Sequence, residues 1–287
     1  EFDTEGTTVR TETPMAGMVI VSILADEATA LADVKGGAEV MVRSLITPDR
    51  PIGHARDLKK SVLRLSIASG EMPELPSTGA QRVEAIDGRT ARLTIDTAAG
   101  APAPESDRTD PAYLKSTLMC QSDDGEIRAL VAKATSGAGA SKVERAEAMR
   151  RFVRKYLDQK SLDVGFGSAL ETARTRSGDC TEHAVLLAAM LRADGIPARG
   201  VTGLVYVDQF LGESGVFGYH MWTQALLEVD GVSTWVDLDA AIDDTRAFDA
   251  SHIACSLVAF ADSETTEAFQ AIIPLMGSLK IEVESLD

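Results

Sequence analysis

The second half of the chain contains a cysteine, a histidine and an aspartate in that order, the residue types that form a thiol nucleophile with an oriented base. Cys180 stands at the predicted start of an apolar helix, and His220 and Asp239 lie in two later strand-like segments. A cysteine at a helix N-terminus faces free backbone N–H groups and the positive end of the helix dipole, which favours the thiolate and could help hold an oxyanion. A small buried thiol is the alternative role for Cys180, but the polar residues on both sides argue against a purely apolar pocket. The three residues therefore predict nucleophilic acyl chemistry.

The helix that would present Cys180 has a recognisable start and end. Asp179 and Glu182 match a capping box, so we predict that the helix begins at Cys180. Residues 184–191 are all apolar, which predicts that this helix is buried on nearly every side. Gly195 is expected to end the helix as a left-handed cap.

Two strands joined by a tight turn would bring the histidine and the aspartate together. Asp230 and Gly231 form a typical two-residue hairpin turn between two alternating segments. With that turn, Asp239 falls opposite Trp222 and diagonal to His220. Diagonal neighbours lie roughly 7–8 Å apart at the backbone, a gap that side chains can bridge.

A second aspartate on the same strand is less well placed to orient the histidine. In this register Asp237 falls opposite Gln224, further from His220. We predict that Asp237 is a solvated strand end and that Asp239 is the carboxylate that orients the imidazole.

A metal site is the competing use of these side chains. Four of them formally resemble a zinc site: Cys180, His183, His252 and Cys255. Each pair also suits an ordinary helical turn, and about 70 residues separate the pairs, far more than in a compact zinc finger. We therefore predict no metal and no cofactor, and we expect His183 to line the site together with Asp179 and Trp222.

The segments outside the thiol region read mainly as strands. Residues 38–46 and 60–67 are strand-like, and residues 81–96 form two alternating runs around an Asp87-Gly88 turn. Near the C-terminus the pattern predicts a helix over residues 264–272 and a strand over residues 279–283.

Between these segments the pattern is mostly helical. It predicts a helix over residues 126–134 and a second one that begins at Ser141 with a capping box and an apolar stripe including Val143. A loop over residues 158–175 leads to the cysteine helix. Another loop, over residues 208–218, separates two of the three strands that follow.

Composition divides the chain into three parts. Residues 98–111 are rich in Ala, Pro and Asp and are predicted to be a linker. We predict a β-rich domain of unknown role over residues 1–110, a thiol domain over residues 111–250, and a C-terminal extension over residues 251–287 that packs on the core.

The overall charge excludes several classes of partner. The chain has 28 basic and 44 acidic residues, a net charge of -16, which disfavours nucleic acid and anionic membranes and would steer basic substrates towards it. No apolar run reaches transmembrane length, so we expect no membrane insertion. Three cysteines are too few for a disulfide framework and do not indicate a redox compartment. The sequence starts without methionine, so a signal peptide could precede it.

Residues 120–245 resemble the transglutaminase-like superfamily, relatives of papain-type thiol enzymes that include many bacterial candidate cysteine proteases. The resemblance rests on four pieces in order: Gly178-Asp179-Cys180, residues 191–199, His220-Met221-Trp222, and Trp235 to Asp239. In that family the cysteine is the nucleophile, the histidine the general base and acid, and the aspartate its orienter. These roles fall on Cys180, His220 and Asp239. The sequence departs from the family at Ala240-Ala241, where Pro-Thr is common, which affects the shape of the loop more than the chemistry.

The resemblance implies an α+β, papain-related core, with the nucleophile at the N-terminus of a helix that packs on an antiparallel sheet, preceded by a β-rich domain. It also implies cysteine-dependent acyl transfer on a carboxamide or peptide bond of a protein or peptide, through a thioester. Hydrolysis would make the protein a peptidase or amidase. Attack by an amine would make it a cross-linking transglutaminase. Relatives with this layout are often bacterial and extracytoplasmic, which favours a periplasmic or secreted location.

Three other classes remain as alternatives. A catalytically silent interaction domain could keep the fold, although such members usually lose one of the three residues that are all present here. A zinc-binding structural protein would retain stoichiometric metal through dialysis. An exported assembly factor could combine partner binding by the β-rich part with processing by the thiol domain.

Overall fold

A computed structural model describes residues 1–3, 7–15, 18–26, 44–159, 167–210, 212–242, 246, 248–261 and 273–287. Two four-stranded sheets and a small hairpin form the β structure of this part of the chain. None of its helices combines the length and the apolar character needed to cross a bilayer.

The hairpin that the sequence predicts is part of the first sheet, which we call the site sheet. Its strands are β6 (Ala198–Phe210), β7 (Glu213–Val229), β8 (Val232–Leu238) and β9 (His252–Val258). They lie in the order β8-β7-β6-β9, and each neighbouring pair is antiparallel. Strands β7 and β8 pair from Val229 opposite Val232, the register of a two-residue turn. The predicted register is therefore confirmed.

Five helices precede the site sheet in the described part of the chain. They are α1 (Glu105–Thr109), α2 (Gly125–Ala134), α3 (Lys142–Tyr156), α4 (Ala169–Thr175) and α5 (Cys180–Ala193). The apolar sequence of α5 leaves it no solvated face, and its side chains from 182 to 192 are buried. Gly195 ends this helix with φ 73°. The predicted start, burial and end of the cysteine helix are confirmed.

The second sheet joins segments from both ends of the chain. It has the order β10-β3-β5-β4, with β3 (Lys60–Ile67), β4 (Gln81–Asp87), β5 (Thr90–Asp96) and β10 (Leu279–Leu286). A separate hairpin pairs β1 (Arg10–Met15) with β2 (Met18–Ile23). The site sheet packs between the helices, through residues such as Met221 and Ala225, and the second sheet, through residues such as Tyr206 and Phe217.

This mixed arrangement of helices and antiparallel sheets confirms the predicted α+β fold class. The strand Lys60–Ile67 and the capping box at Ser141 are as predicted. The strand predicted at residues 279–283 is longer, and the turn between β4 and β5 falls at residues 88–89, one residue later than predicted. The predicted strand at 38–46 falls largely, and the predicted helix at 264–272 entirely, outside the described residues. The division into three domains stays a prediction.

Several loop predictions are wrong because tertiary pairing outweighs the local pattern. Residues 208–218 are mostly strand, since Gln209 pairs with Ser214 and extends the β6–β7 hairpin. The predicted loop at 158–175 contains α4, which the Ser168 side chain caps. Val143 is 42% exposed and lies outside the apolar stripe of α3. The predicted linker at 98–111 contains α1.

Candidate active site

The start of α5 holds the thiol in a tightly bonded turn. The Asp179 side chain accepts a hydrogen bond of 2.8 Å from the N–H of Thr181, and the Glu182 carboxylate accepts one of 2.9 Å from the N–H of Asp179. The other Glu182 oxygen accepts a bond of 2.8 Å from the N–H of Gly167. A Cβ at Gly178, where φ is 151°, would lie 2.4 Å from the Cβ of Glu182, so this turn requires glycine. Cys180 therefore has a fixed position at the first helical residue, where its side chain is half-buried.

The hairpin of β7 and β8 brings the imidazole and the carboxylate into contact. Nε2 of His220 lies 2.8 Å from Oδ2 of Asp239, the first residue after β8. The side chain of Cys180 also interacts with that of His220 and acts to raise the pKa of the ring. The N–H of Ala241 donates to Oδ1 of Asp239 over 2.6 Å, and Arg150 donates to its backbone carbonyl over 3.1 Å. The structure thus joins the thiol, the imidazole and the carboxylate in one chain of contacts.

The opposite charges of His220 and Asp239 stabilise each other. Burial by itself lowers the pKa of His220, but the Asp239 charge and the hydrogen bonds to Asp239 and Cys180 outweigh it and raise that pKa to about 10. Burial likewise acts to raise the pKa of Asp239, whereas the charges and hydrogen bonds of His220 and His252 bring it well below its usual value. His220 is therefore protonated and Asp239 ionised at neutral pH.

A second histidine lies against Asp239, and its contact with that carboxylate was not predicted. Nε2 of His252 is 3.1 Å from the same Oδ2 of Asp239 that contacts His220. His252 begins β9, a strand that was not predicted because the spacing of His252 and Cys255 also suits a helical turn. The short, nearly continuous apolar run from Ile253 to Val258 was the available signal for this strand.

Asp237 is not the solvated strand end that the sequence predicts. It is 8% exposed, and its Oδ1 accepts hydrogen bonds of 2.9 Å from Trp222 Nε1 and 2.7 Å from Gln224 Nε2. Its Oδ2 accepts a bond of 3.0 Å from the N–H of Ala80, which precedes β4. Burial raises the pKa of Asp237, against the lowering effect of these donors. The sequence did not indicate this burial, because one of the donors, the N–H of Ala80, lies more than 150 residues away along the chain.

The predicted lining residues take different positions. Asp179 caps the cysteine helix, and Nδ1 of His183 lies 2.5 Å from the Asp179 carbonyl, within the first turn. Trp222 stacks beside His220 with ring centroids 6.1 Å apart, so it packs directly on the imidazole. His54, which has no predicted role, is exposed near the second sheet.

The four residues considered for zinc do not form the ligand group found in the described part of the chain. The atoms that come within 4.8 Å of one another there belong to His220, Asp239 and His252. Cys255 belongs instead to the apolar core between the two sheets. Both imidazoles are within hydrogen-bonding distance of the Asp239 carboxylate in this group.

Comparison with known proteins gives the following likenesses. The chain is similar to the solved structure of a "Putative Cysteine Protease from Cytophaga hutchinsonii", with 17% identity, 80% of this chain and 89% of that chain covered, and a TM-score of 0.45. It is similar to the periplasmic domain of TgpA from Pseudomonas aeruginosa, with 16% identity, coverage of 71% and 92%, and a TM-score of 0.42. For the transglutaminase of red sea bream the identity is 11%, the coverage 69% and 48%, and the TM-score 0.33. No functionally curated protein matches the chain.

A family model matches part of the sequence. Residues 128–240 match the family model of the transglutaminase-like superfamily, which confirms the resemblance drawn from the motifs. The matching range contains Cys180, His220 and Asp239. Members of this superfamily are typically cysteine-dependent enzymes that act on proteins.

Proposed function

We propose that the protein is a cysteine-dependent acyltransferase, most simply a peptidase or amidase, in which Cys180 is the nucleophile, His220 the general acid and base, and Asp239 its orienter. The observation that supports this most strongly is the continuous contact from Cys180 through His220 to Asp239. Each of these side chains has the protonation behaviour or the placement that its role requires.

In the first half-reaction, the Cys180 thiolate attacks the carbonyl carbon of a carboxamide or peptide bond, and the carbonyl electron pair moves onto oxygen. When the tetrahedral adduct collapses, the C–N bond breaks and the departing nitrogen takes a proton from Nδ1 of His220. Ammonia or an amine leaves, and the acyl group remains on sulfur as a thioester. His220 suits the role of acid because its raised pKa, about 10, keeps the imidazole protonated at neutral pH.

The oxyanion that forms in this step requires donors. The first turn of α5 presents backbone N–H groups next to the sulfur, and the N–H of Cys180 itself is the candidate donor. The positive end of the helix dipole acts in the same direction. Both contributions depend on the capping box, because Asp179 and Glu182 fix the helix start.

In the second half-reaction, neutral His220 removes a proton from the incoming nucleophile, which attacks the thioester carbonyl and releases the Cys180 sulfur. Water yields a carboxylic acid, and a lysine amine yields an isopeptide bond. We propose hydrolysis as the main reaction and amine transfer as the alternative. A silent interaction domain is the third possibility, in which the three side chains are kept without turnover.

The first experiment measures the reactivity of the thiol. Wild type and His220→Ala would be exposed briefly to iodoacetamide between pH 5 and pH 9 and analysed by intact mass and peptide mapping. We expect single labelling at Cys180, at least tenfold slower in His220→Ala below pH 7, because the variant lacks the imidazolium that stabilises the thiolate. Cys120 and Cys255 are internal controls, since burial raises the pKa of their thiols to about 11 and about 12.

A second experiment separates the reactions. Ammonia release from a glutamine-containing peptide, cleavage of unfolded casein, and incorporation of a fluorescent primary amine would be followed with wild type and Cys180→Ser. Ammonia or new peptide termini without amine incorporation indicate hydrolysis, and incorporation indicates cross-linking. If labelling of Cys180 is slow and unaffected by His220→Ala, and all three assays are negative, the silent-domain alternative is correct.

A further inference from the structure

His252 is a buried titratable residue that the proposed mechanism does not use. Its side chain is 1% exposed and lies between aromatic rings, with the Phe248 centroid at 4.4 Å and the Trp222 ring edge-on at 5.3 Å. A neutral or charged imidazole in such a place needs a partner for each nitrogen, since an unpaired buried polar atom is costly. The partners therefore reveal the protonation state of the ring.

Both ring nitrogens of His252 face acceptors only. Nε2 lies 3.1 Å from Oδ2 of Asp239. Nδ1 lies 3.0 Å from the backbone carbonyl of Asp249 and 3.3 Å from its carboxylate. A neutral imidazole has one N–H and one bare nitrogen, so one of these contacts would bring two acceptors together. Only the doubly protonated ring satisfies both contacts, provided that Asp239 is ionised.

The surroundings of Asp239 favour its ionised form. Its carboxylate accepts from the N–H of Ala241 and contacts the rings of His220 and His252, and imidazoles can carry a positive charge that stabilises the carboxylate. A protonated Asp239 would lose at least one of these bonds.

The charged groups around His252 alternate in sign. The ring faces Asp239 after β8, His220 on β7, and Asp249 before its own strand, and Asp237 on β8 acts on it at longer range. Arg56, from the segment before β3, in turn forms an ion pair of 2.9 Å with Asp249. Burial lowers the pKa of His252, but the Asp249 charge and the bonds to both carboxylates raise it overall. The sequence of contacts thus runs Cys180, His220, Asp239, His252, Asp249, Arg56.

We propose that His252 is a second positioning residue of the candidate active site: a buried imidazolium that holds Asp239 in the orientation in which it binds His220. Asp249 and Arg56 hold His252 in place, so the segment before β3 contributes to the geometry of the thiol site. The positioning role rests on the proposed function of Cys180, His220 and Asp239, whereas the charge of His252 does not.

His252 acts through Asp239 and not on a substrate. The space beside Asp239, Asp249 and His252 is a cavity of only about 10 Å³, the size of one water molecule. A space of this size does not hold an acyl group. The effect of His252 on the thiol is therefore electrostatic and geometric.

Replacing His252 by glutamine tests the charge. The glutamine amide can still donate to Asp239, but the positive charge is lost, so the neighbouring groups should bind protons more tightly. We expect the acid limb of Cys180 alkylation to move to higher pH by about one unit in His252→Gln, a shift of the size that one nearby charge produces. Cys255→Ala is the matched control: it alters the core on the same strand without touching a carboxylate, and should leave the limb in place.

Nitrogen NMR of histidine-labelled protein tests the protonation state directly. The chain has 4 histidines, so the His252 signals can be assigned by substituting the other three one at a time. At pH 7 we expect both ring nitrogens of His252 to carry a proton in the wild type. This measurement needs neither a substrate nor a folded His252 variant.

The outcomes separate the two proposals. A singly protonated His252 at pH 7, or a folded His252→Gln with the wild-type acid limb, overturns the positioning role. A doubly protonated His252 with the predicted shift supports it. If wild-type Cys180 shows no dependence on His220, the proposed function fails and the positioning role with it, while the NMR result still decides the charge of the ring.

Discussion

Asp237 and Asp239 are separated by one residue at the end of the same hairpin, and both carboxylates are buried, yet their surroundings give them opposite properties. Asp239 meets two imidazoles, and these bring its pKa well below the usual value. Asp237 meets an indole, an amide and a backbone N–H, all neutral, and burial raises its pKa. The neighbours on β7 set the difference: His220 lies against Asp239, and Trp222 and Gln224 lie against Asp237.

The Asp239 carboxylate contacts the imidazole of the candidate site, whereas the Asp237 carboxylate connects two layers of the fold. The Asp237 group continues through Gln224 to Thr78 and Arg199, and Arg199 forms an ion pair of 2.9 Å with Asp107 on α1. It therefore links the site sheet to the segment before β4 and to the predicted linker. The Asp239 group links the site sheet to the thiol.

The largest expected effect is a difference between the two carboxylates in how their replacement changes the reactivity of the Cys180 thiol. Asp239→Asn should slow alkylation of Cys180 at pH 6 about 10- to 100-fold, because His220 loses the anion that keeps it protonated. Asp237→Asn should change the same rate less than about threefold, since no charged partner of the thiol is altered. Rates at Cys180 would be measured by peptide mapping, with circular dichroism to confirm that each variant is folded. Equal losses in the two variants would mean that the register does not separate their roles.

The next effect concerns a glycine that approaches Asp237. Gly79 has φ +51°, and a Cβ there would lie 2.0 Å from Oδ2 of Asp237, whereas a Cβ at Gly70, with φ +80°, would meet nothing within 4 Å. Alanine at either position is strained by its backbone, at a cost of about 1–2 kcal/mol. Gly79→Ala should lose a further 1–3 kcal/mol, roughly, because the carboxylate must move from its donors. Urea unfolding of the two variants measures the difference, and similar midpoints would rule out the steric contact.

The smallest effect is the pH dependence of stability. The contribution of Asp239 should increase as pH rises through its folded pKa, whereas that of Asp237 should decrease. The lowered pKa of Asp239 gives stability that is present above its unfolded pKa of about 3.9 and is lost as pH falls through the folded value. The raised pKa of His220 gives stability that is fully present below about pH 6.5 and is lost as pH rises towards about 10. Asp237, with its raised pKa, stabilises most below about pH 3.9 and less as pH rises through its folded value.

Thermal unfolding of wild type and the two variants from pH 3 to pH 10 would measure how each carboxylate's contribution to stability changes with pH. Destabilisation by Asp239→Asn should be greatest between about pH 4 and 6.5, by about 1–2 kcal/mol, and smaller on either side. Destabilisation by Asp237→Asn should decrease steadily from pH 3 to pH 7. Parallel profiles for the two variants would contradict the assignment of opposite shifts.

Local signals in the sequence were sufficient for the features that depend on short separations. The capping box of Asp179 and Glu182 fixed the first residue of the cysteine helix, because its hydrogen bonds span only three residues. The Asp230-Gly231 turn determined the register, and with it the contact of His220 and Asp239. These two signals account for the three residues of the proposed mechanism.

Features that depend on distant contacts could not be predicted in this way. The burial of Asp237 depends on the N–H of Ala80, and no periodicity in β8 encodes that contact. The position of His252 depends on β9 pairing with β6, after a connection whose path the sequence does not specify. Residues 98–111 have the composition of a linker. Composition does not show that Asp107, within this range, contacts Arg199 and Trp235.

The order of the strands also limits how the molecule can be divided. The range that matches the superfamily, 128–240, stops before β9, and the last strand, β10, returns to pair with β3. A fragment cut at the limits of the family match would retain Cys180, His220 and Asp239 but lose His252, Asp249 and the whole second sheet. One face of the site sheet, including Tyr206 and Phe217, would then be stripped of its apolar cover. A recombinant fragment that keeps this cover must therefore extend beyond the range that matches the superfamily.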